Sequence, residues 1–145
     1  MGPHGKPRLA APACDLEFNL SHAGAFALVA VTQGRPVGVD LEWARAELAT
    51  DAIAEVCFSR DEQRRLNALA AQDRLPAFFR LWTRKEAFIK ATGLGMSADL
   101  KAFDVSLGDS PALLATRPDP GEAARWELGS FLVPDGYTGA WAVAK

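Results

Sequence analysis

PAFFRLWTRKEAFIKATG, residues 76–93, is the stretch from which the rest of the chain can be read. Proline suits the first turn of a helix, where its missing N–H costs nothing, and glycine closes one by accepting a left-handed backbone. Between them Phe78, Leu81, Trp82, Phe88 and Ile89 supply a buried side, so the spacing predicts a helix from Pro76 to about Thr92 with Gly93 as terminator. Basic residues are interleaved with that apolar side: Arg80, Arg84, Lys85 and Lys90. A helix so rich in both needs somewhere to put its charge, and an anionic ligand would serve. Glu86 and Lys90 lie four apart and share a face. The ordinary fate of such a pair is a surface ion pair worth about 0.3–0.5 kcal/mol.

Working toward the N-terminus, Ser59 with Glu62 three residues on is a capping-box signature that opens a helix over Asp61 to Gln72. Phe26 to Thr32 has the β-branched content and length of a buried strand. Gln33-Gly34-Arg35-Pro36 is turn chemistry, and Val37 to Glu42 reads as a second strand, so the two are expected to form a hairpin. Residues 1–17 read as an extended lead-in. Toward the C-terminus, Phe103 to Leu107, Arg125 to Val133 and Tyr137 to Val143 read as three strands joined by Gly/Pro loops. Strands, helices and more strands predict an α+β fold, a single lobe of mostly antiparallel sheet with helices packed on one face. No internal repeat or linker divides residues 1–145.

The composition fits this reading. At 145 residues, with 49% apolar and 23% charged side chains, the chain is long enough for a core and too apolar for intrinsic disorder. A net charge of −2 gives no overall attraction to nucleic acid or anionic membrane. Two cysteines, Cys14 and Cys57, are too few for a disulfide framework or a structural zinc site and read as free thiols. The N-terminus lacks the apolar run of a signal peptide, and the longest apolar stretch, Ala23 to Val31, is too short to span a bilayer. A cytoplasmic protein with neither nucleic-acid nor membrane partners is expected.

Two further places carry chemistry. Asp40 and Glu42 sit two apart on a predicted strand, so both point to one face. Side by side they repel unless a cation or proton lies between them. Ser21-His22 stands just before the first predicted strand, where a hydroxyl and an imidazole can donate to phosphate oxygens. A Ser–His nucleophile pair is disfavoured, because neighbours on an extended chain point apart.

Taken together, Asn19-Leu20-Ser21-His22, then Val37-Gly38-Val39-Asp40-Leu41-Glu42, then Trp82-Thr83-Arg84-Lys85-Glu86-Ala87-Phe88-Ile89-Lys90-Ala91-Thr92-Gly93, resemble the 4′-phosphopantetheinyl transferase superfamily, specifically its Sfp-type branch. Gly5-Lys6-Pro7, Gly136-Tyr137 and Ala140-Trp141-Ala142-Val143 extend the resemblance over nearly the whole chain. It implies an enzyme of the holo-[acyl-carrier-protein] synthase type. Such a transferase moves the phosphopantetheine arm of coenzyme A to a serine of an acyl or peptidyl carrier protein, with Mg²⁺, releasing 3′,5′-ADP.

Carried over by motif, Asp40, Glu42 and Glu86 resemble the family's magnesium carboxylates, and Glu86 its candidate general base. Lys90 resembles a diphosphate contact, Ser21 and His22 phosphate-binding positions, and Lys6 a contact at the adenosine end. Arg80, Arg84 and Lys85 are candidates for a basic patch toward an acidic carrier. Sfp-type members usually have two similar lobes, whereas this sequence begins just before the Gly-Lys-Pro motif. The expectation is therefore a short member that completes its site as a homo-oligomer, as the single-lobe holo-acyl-carrier-protein synthases do. The alternative is a half-transferase that binds CoA or a protein partner without catalysis.

Overall fold

The computed structural model describes residues 15–145. Lys6, Cys14 and the lead-in before residue 15 lie outside the described residues. Among the described residues seven strands and three α-helices, besides short 3-10 turns, run in the order β1 (Leu16–Ala23), β2 (Phe26–Gln33), β3 (Val37–Trp43), α1 (Asp51–Cys57), α2 (Arg60–Asn67), α3 (Ala71–Thr92), β4 (Phe103–Val105), β5 (Leu113–Thr116), β6 (Trp126–Ser130) and β7 (Tyr137–Ala144). All strand pairs among the described residues are antiparallel: β1 with β2, β3–β7–β6, and β4 with β5. This is the α+β class expected.

The central sheet is built around α3. Gly38 on β3 lies so close to the helix that a Cβ there would sit 2.1 Å from the Ala87 carbonyl oxygen and 2.3 Å from the Ala91 nitrogen. Gly38, Asp40 and Glu42 therefore face α3. So do Ala142 and Ala140, which pair with the first two of these on β7. Small residues on the sheet let a helix bearing Phe78, Phe79, Leu81 and Phe88 approach closely, and these side chains form the core with Phe58, Phe103 and Val105. The opposite face of the sheet is reached by the β1–β2 hairpin, whose Leu28 abuts Gly139.

Several expectations are corrected. The hairpin forms between β1 and β2, turning at Gly24 with φ +54°, and not between β2 and β3. Strand β3 instead crosses to pair with β7. Its other edge is closed by side chains: the Val39 N–H donates to Asn19 Oδ1 (2.8 Å) and the Leu41 N–H to Ser21 Oγ (3.1 Å). Residues two apart on β1 thus do what a neighbouring backbone would otherwise do. Because β1 begins at Leu16, the expected lead-in ends earlier than residue 17.

The helices also shift. Ser59 and Glu62 form the predicted capping box, but α2 stops at Asn67 rather than Gln72. Helix α3 starts at Ala71, so Pro76 lies inside it and not in its first turn. Residues 71–74 are exposed, so the carbonyl left without a donor by Pro76 faces water, where the loss is small. Gly93 ends α3 at φ +73°, as predicted. Helix α1, capped by Thr50 Oγ1 accepting from the Ile53 N–H, and the short strand β5 were not anticipated. Strands β4 and β6 are shorter than their sequence patterns suggest. Among the described residues no helix is long and apolar enough to cross a membrane.

Candidate active site

Three elements meet at one cleft. Strand β1 brings Ser21 and His22, β3 brings Asp40 and Glu42, and α3 brings Glu86 and Lys90; all six line a cavity of about 400 Å³. The three carboxylates are neighbours because β3 alternates every second residue and α3 lies across that face. Leu20, Leu41 and Trp82 complete the wall.

Asp40 is 3% exposed and its two oxygens differ sharply. Oδ1 receives Lys90 Nζ at 2.6 Å and the Ser21 hydroxyl at 3.2 Å. Oδ2 is buried without a hydrogen-bond partner. Burial pushes the Asp40 carboxyl above its ordinary value, with Lys90 and the Ser21 hydroxyl pulling the other way. Glu42 is raised by burial and by the charge of Asp40, against a hydrogen bond from Trp82 Nε1 to its Oε1 at 3.1 Å. Glu86 is raised by burial and by both neighbouring carboxylates. Asp40 thus makes both Glu42 and Glu86 harder to ionise, and Glu42 adds to the effect on Glu86; a cation among them would reverse this.

Among the described residues no three His, Cys, Asp or Glu side chains are gathered as a ready-made ion cage. That suits Mg²⁺ less badly than other metals, because it takes one or two carboxylates and fills its remaining positions with phosphate oxygens and water. The bare, buried Oδ2 of Asp40 is an acceptor in need of such a partner.

The surface ion pair that is the ordinary fate of the Glu86–Lys90 spacing does not form; Lys90 reaches across to Asp40 instead. The candidate basic patch is corrected at two of its three residues, while the Arg80 side chain stays 30% exposed. Arg84 and Lys85 are each 1% exposed, so neither can face a partner. Arg84 donates to the Ser106 carbonyl at 2.6 Å, and burial, with Arg80 close by, lowers its pKa to about 10. Lys85 lies between Glu62 (2.7 and 2.9 Å) and the Phe103 carbonyl (2.7 Å).

The sequence reading missed the parts played by Asn19 and Trp82. For Asn19 a signal existed, since it sits two residues before Ser21 and shares its face. Trp82 was expected on the apolar side of its helix, and only the fold brings its N–H to Glu42.

Comparison with known proteins bears on the family and the fold. Residues 36–144 match the family model of the 4′-phosphopantetheinyl transferase superfamily. The chain is 38% identical over 130 residues to the 4′-phosphopantetheinyl transferase HetI of Nostoc, covering 89% of this chain and 52% of that one. It spans about half the length of the curated relatives it matches. In fold it resembles the holo-[acyl-carrier-protein] synthase of Thermotoga maritima (TM-score 0.58, 22% identity, covering 76% of this chain and 62% of that one). It also resembles a holo-(acyl-carrier-protein) synthase of Bacillus anthracis in complex with CoA (3′,5′-ADP) (TM-score 0.54, 22% identity, covering 75% of this chain and 94% of that one).

Proposed function

The chain belongs to the 4′-phosphopantetheinyl transferase superfamily, and from that premise we propose that it transfers the phosphopantetheine arm of CoA to a serine of an acyl or peptidyl carrier protein. The reaction requires Mg²⁺ and releases 3′,5′-ADP. The observation that carries this reading is the convergence of Asp40, Glu42, Glu86 and Lys90 on one cleft, with an unpartnered oxygen of Asp40 buried in it.

Asp40 and Glu42 would hold the metal, with Glu86 beside them. Bound there, Mg²⁺ supplies charge neutralisation for the diphosphate. The carrier serine oxygen attacks the phosphorus nearer the pantetheine. The P–O bond to the nucleotide breaks, and 3′,5′-ADP leaves with the electron pair. The serine proton passes to Glu86, directly or through a water. Burial, the first cause of the rise in the Glu86 pKa, acts whether or not a cation neutralises the acidic neighbours, and it makes this carboxylate a better proton acceptor near neutrality than an ordinary one. Lys90 donates to the diphosphate as its charge grows. His22, exposed at the cleft mouth, is placed for a phosphate oxygen, and Ser21 holds Asp40 and Lys90 in position.

Lys90 is the one lysine or arginine lining the cleft among the described residues, facing three carboxylates. CoA carries a diphosphate and a 3′-phosphate, so further cations are needed. This favours a homo-oligomer in which a second copy supplies them. The same shortage is what a half-transferase that only binds CoA or a partner would display.

Transfer of a fluorescent CoA arm to a purified apo carrier protein, with and without Mg²⁺, tests the proposal alongside the solution mass. Magnesium-dependent labelling, abolished by Asp40→Ala and by Glu86→Gln in folded protein, is expected. Full activity in either variant would sink the mechanism. A folded monomer that labels no carrier would favour the binding-only reading.

A further inference from the structure

We propose that Lys90 is the resident counter-cation of Asp40, and that a divalent cation gains full access to this carboxylate only when the CoA diphosphate draws the ammonium away. The inference rests on the reading of these carboxylates as a divalent-cation site.

The local hydrogen bonding is saturated on one side and bare on the other. Ser21 Oγ donates its single proton to Asp40 Oδ1 at 3.2 Å, and accepts from the Leu41 N–H at 3.1 Å and from Lys90 Nζ at 3.3 Å. Lys90 Nζ itself lies 2.6 Å from the same Oδ1. That oxygen is therefore satisfied twice, while Oδ2 has no partner. A doubly charged ion entering at Oδ2 would stand close to an ammonium group in a half-buried cleft, where like charges repel strongly.

The two partners are not equally free to move. The Asp40 side chain is 5% exposed and fixed on β3, whereas that of Lys90 is 29% exposed on a flexible four-carbon stem. Diphosphate oxygens offer Lys90 a partner of higher charge than one carboxylate, and lysine serves as a point-charge ligand for phosphate. Exchange of Lys90 from Asp40 to diphosphate removes the competing charge as the cation arrives. Cation and CoA then bind cooperatively, each tightening the other by the same factor. Lys90 is the residue through which part of that coupling runs.

The test uses Mn²⁺ as the probe, measured by electron paramagnetic resonance at about pH 8, on the whole chain, with and without CoA. Without CoA, Lys90→Gln and Lys90→Ala should bind Mn²⁺ more tightly than the parent, by on the order of tenfold for loss of a close like charge. Addition of CoA should then improve Mn²⁺ binding less in these variants than in the parent. Lys90→Arg keeps the charge and should stay near the parent value, while Asp40→Asn should bind Mn²⁺ poorly throughout. The proposal is overturned if neutral variants with native melting curves bind Mn²⁺ no better than the parent. Because the readout needs neither carrier nor transfer, a protein that displays the competition yet transfers nothing would refute the functional reading alone.

Discussion

Glu62 concentrates more structural duty in one carboxylate than any residue of the cleft. Its oxygens accept from the Ser59 N–H (2.9 Å), the Val105 N–H (2.8 Å) and Lys85 Nζ, so one 0%-exposed side chain ties the start of α2 to α3 and β4. Lys85 also sits 4.3 Å from the centroid of the Phe103 ring. Glu62→Gln would leave a buried ammonium without its counter-charge, and should cost about 3–5 kcal/mol in urea unfolding. A loss below about 1 kcal/mol would mean the pair is not the buried tie described. The capping box was legible from Ser59 and Glu62, and Asp40, Glu42, Glu86, Lys90, Ser21 and His22, singled out by their motifs, do line one cleft. The burial of Lys85 was not. Adjacent residues on a helix differ by about 100° in direction, and only the position of α2 decides which of Lys85 and Glu86 meets the core.

At the scale of elements, the packing of α3 on β3 sets the cleft, and Gly38 sets that packing. Gly38→Ala would drive a Cβ into the backbone of α3 at Ala87 and Ala91. Backbone cannot move aside as a side chain does, so about 1–3 kcal/mol or more of stability should be lost. Transfer should fall with it, because Glu86 and Lys90 lie on the displaced turns; thermal unfolding and the labelling assay together check this. Element existence was well marked where the local signal was strong, as at Gly93 and in Tyr137–Ala144. Pairing was harder to read. Gly34 and Pro36 do mark a turn after β2, yet a turn does not say whether the chain folds back or crosses over. What decides is the far partner: β7 takes one edge of β3, and Asn19 and Ser21 occupy the other.

For the molecule as a whole, the cleft is a standing electrostatic cost. Asp40, Glu42 and Glu86 all have pKa values raised on folding, with burial the first cause in each. The folded state therefore holds protons that the unfolded chain has already released. Stability from these groups is greatest below the unfolded carboxylate values near 4 and declines as pH rises through the raised folded ones. Glu86→Gln, which resembles the protonated acid, should raise the melting temperature at pH 7.5 and change it little at pH 4. Scanning calorimetry at the two pH values checks the sign; equal shifts at both would point to packing instead of charge. The α+β class was readable from the order of predicted elements, whereas the division into three separate sheets depends on long-range pairings that no local stretch encodes.

The side-chain closure of β3 also bears on how the chain avoids its own kind. An open strand edge is a template on which another copy can lay down a strand, and sheets grow into aggregates that way. With Asn19 and Ser21 occupying the Val39 and Leu41 donors, that edge offers no free row of N–H groups at its centre. Asn19→Ala would strip one of these bonds and leave a buried donor unmet, at about 1–3 kcal/mol. Light scattering during mild heating should then rise earlier than in the parent, before the helices melt by circular dichroism. Asparagine at position 19 would in that case be kept as much for colloidal solubility as for the geometry of the cleft it adjoins.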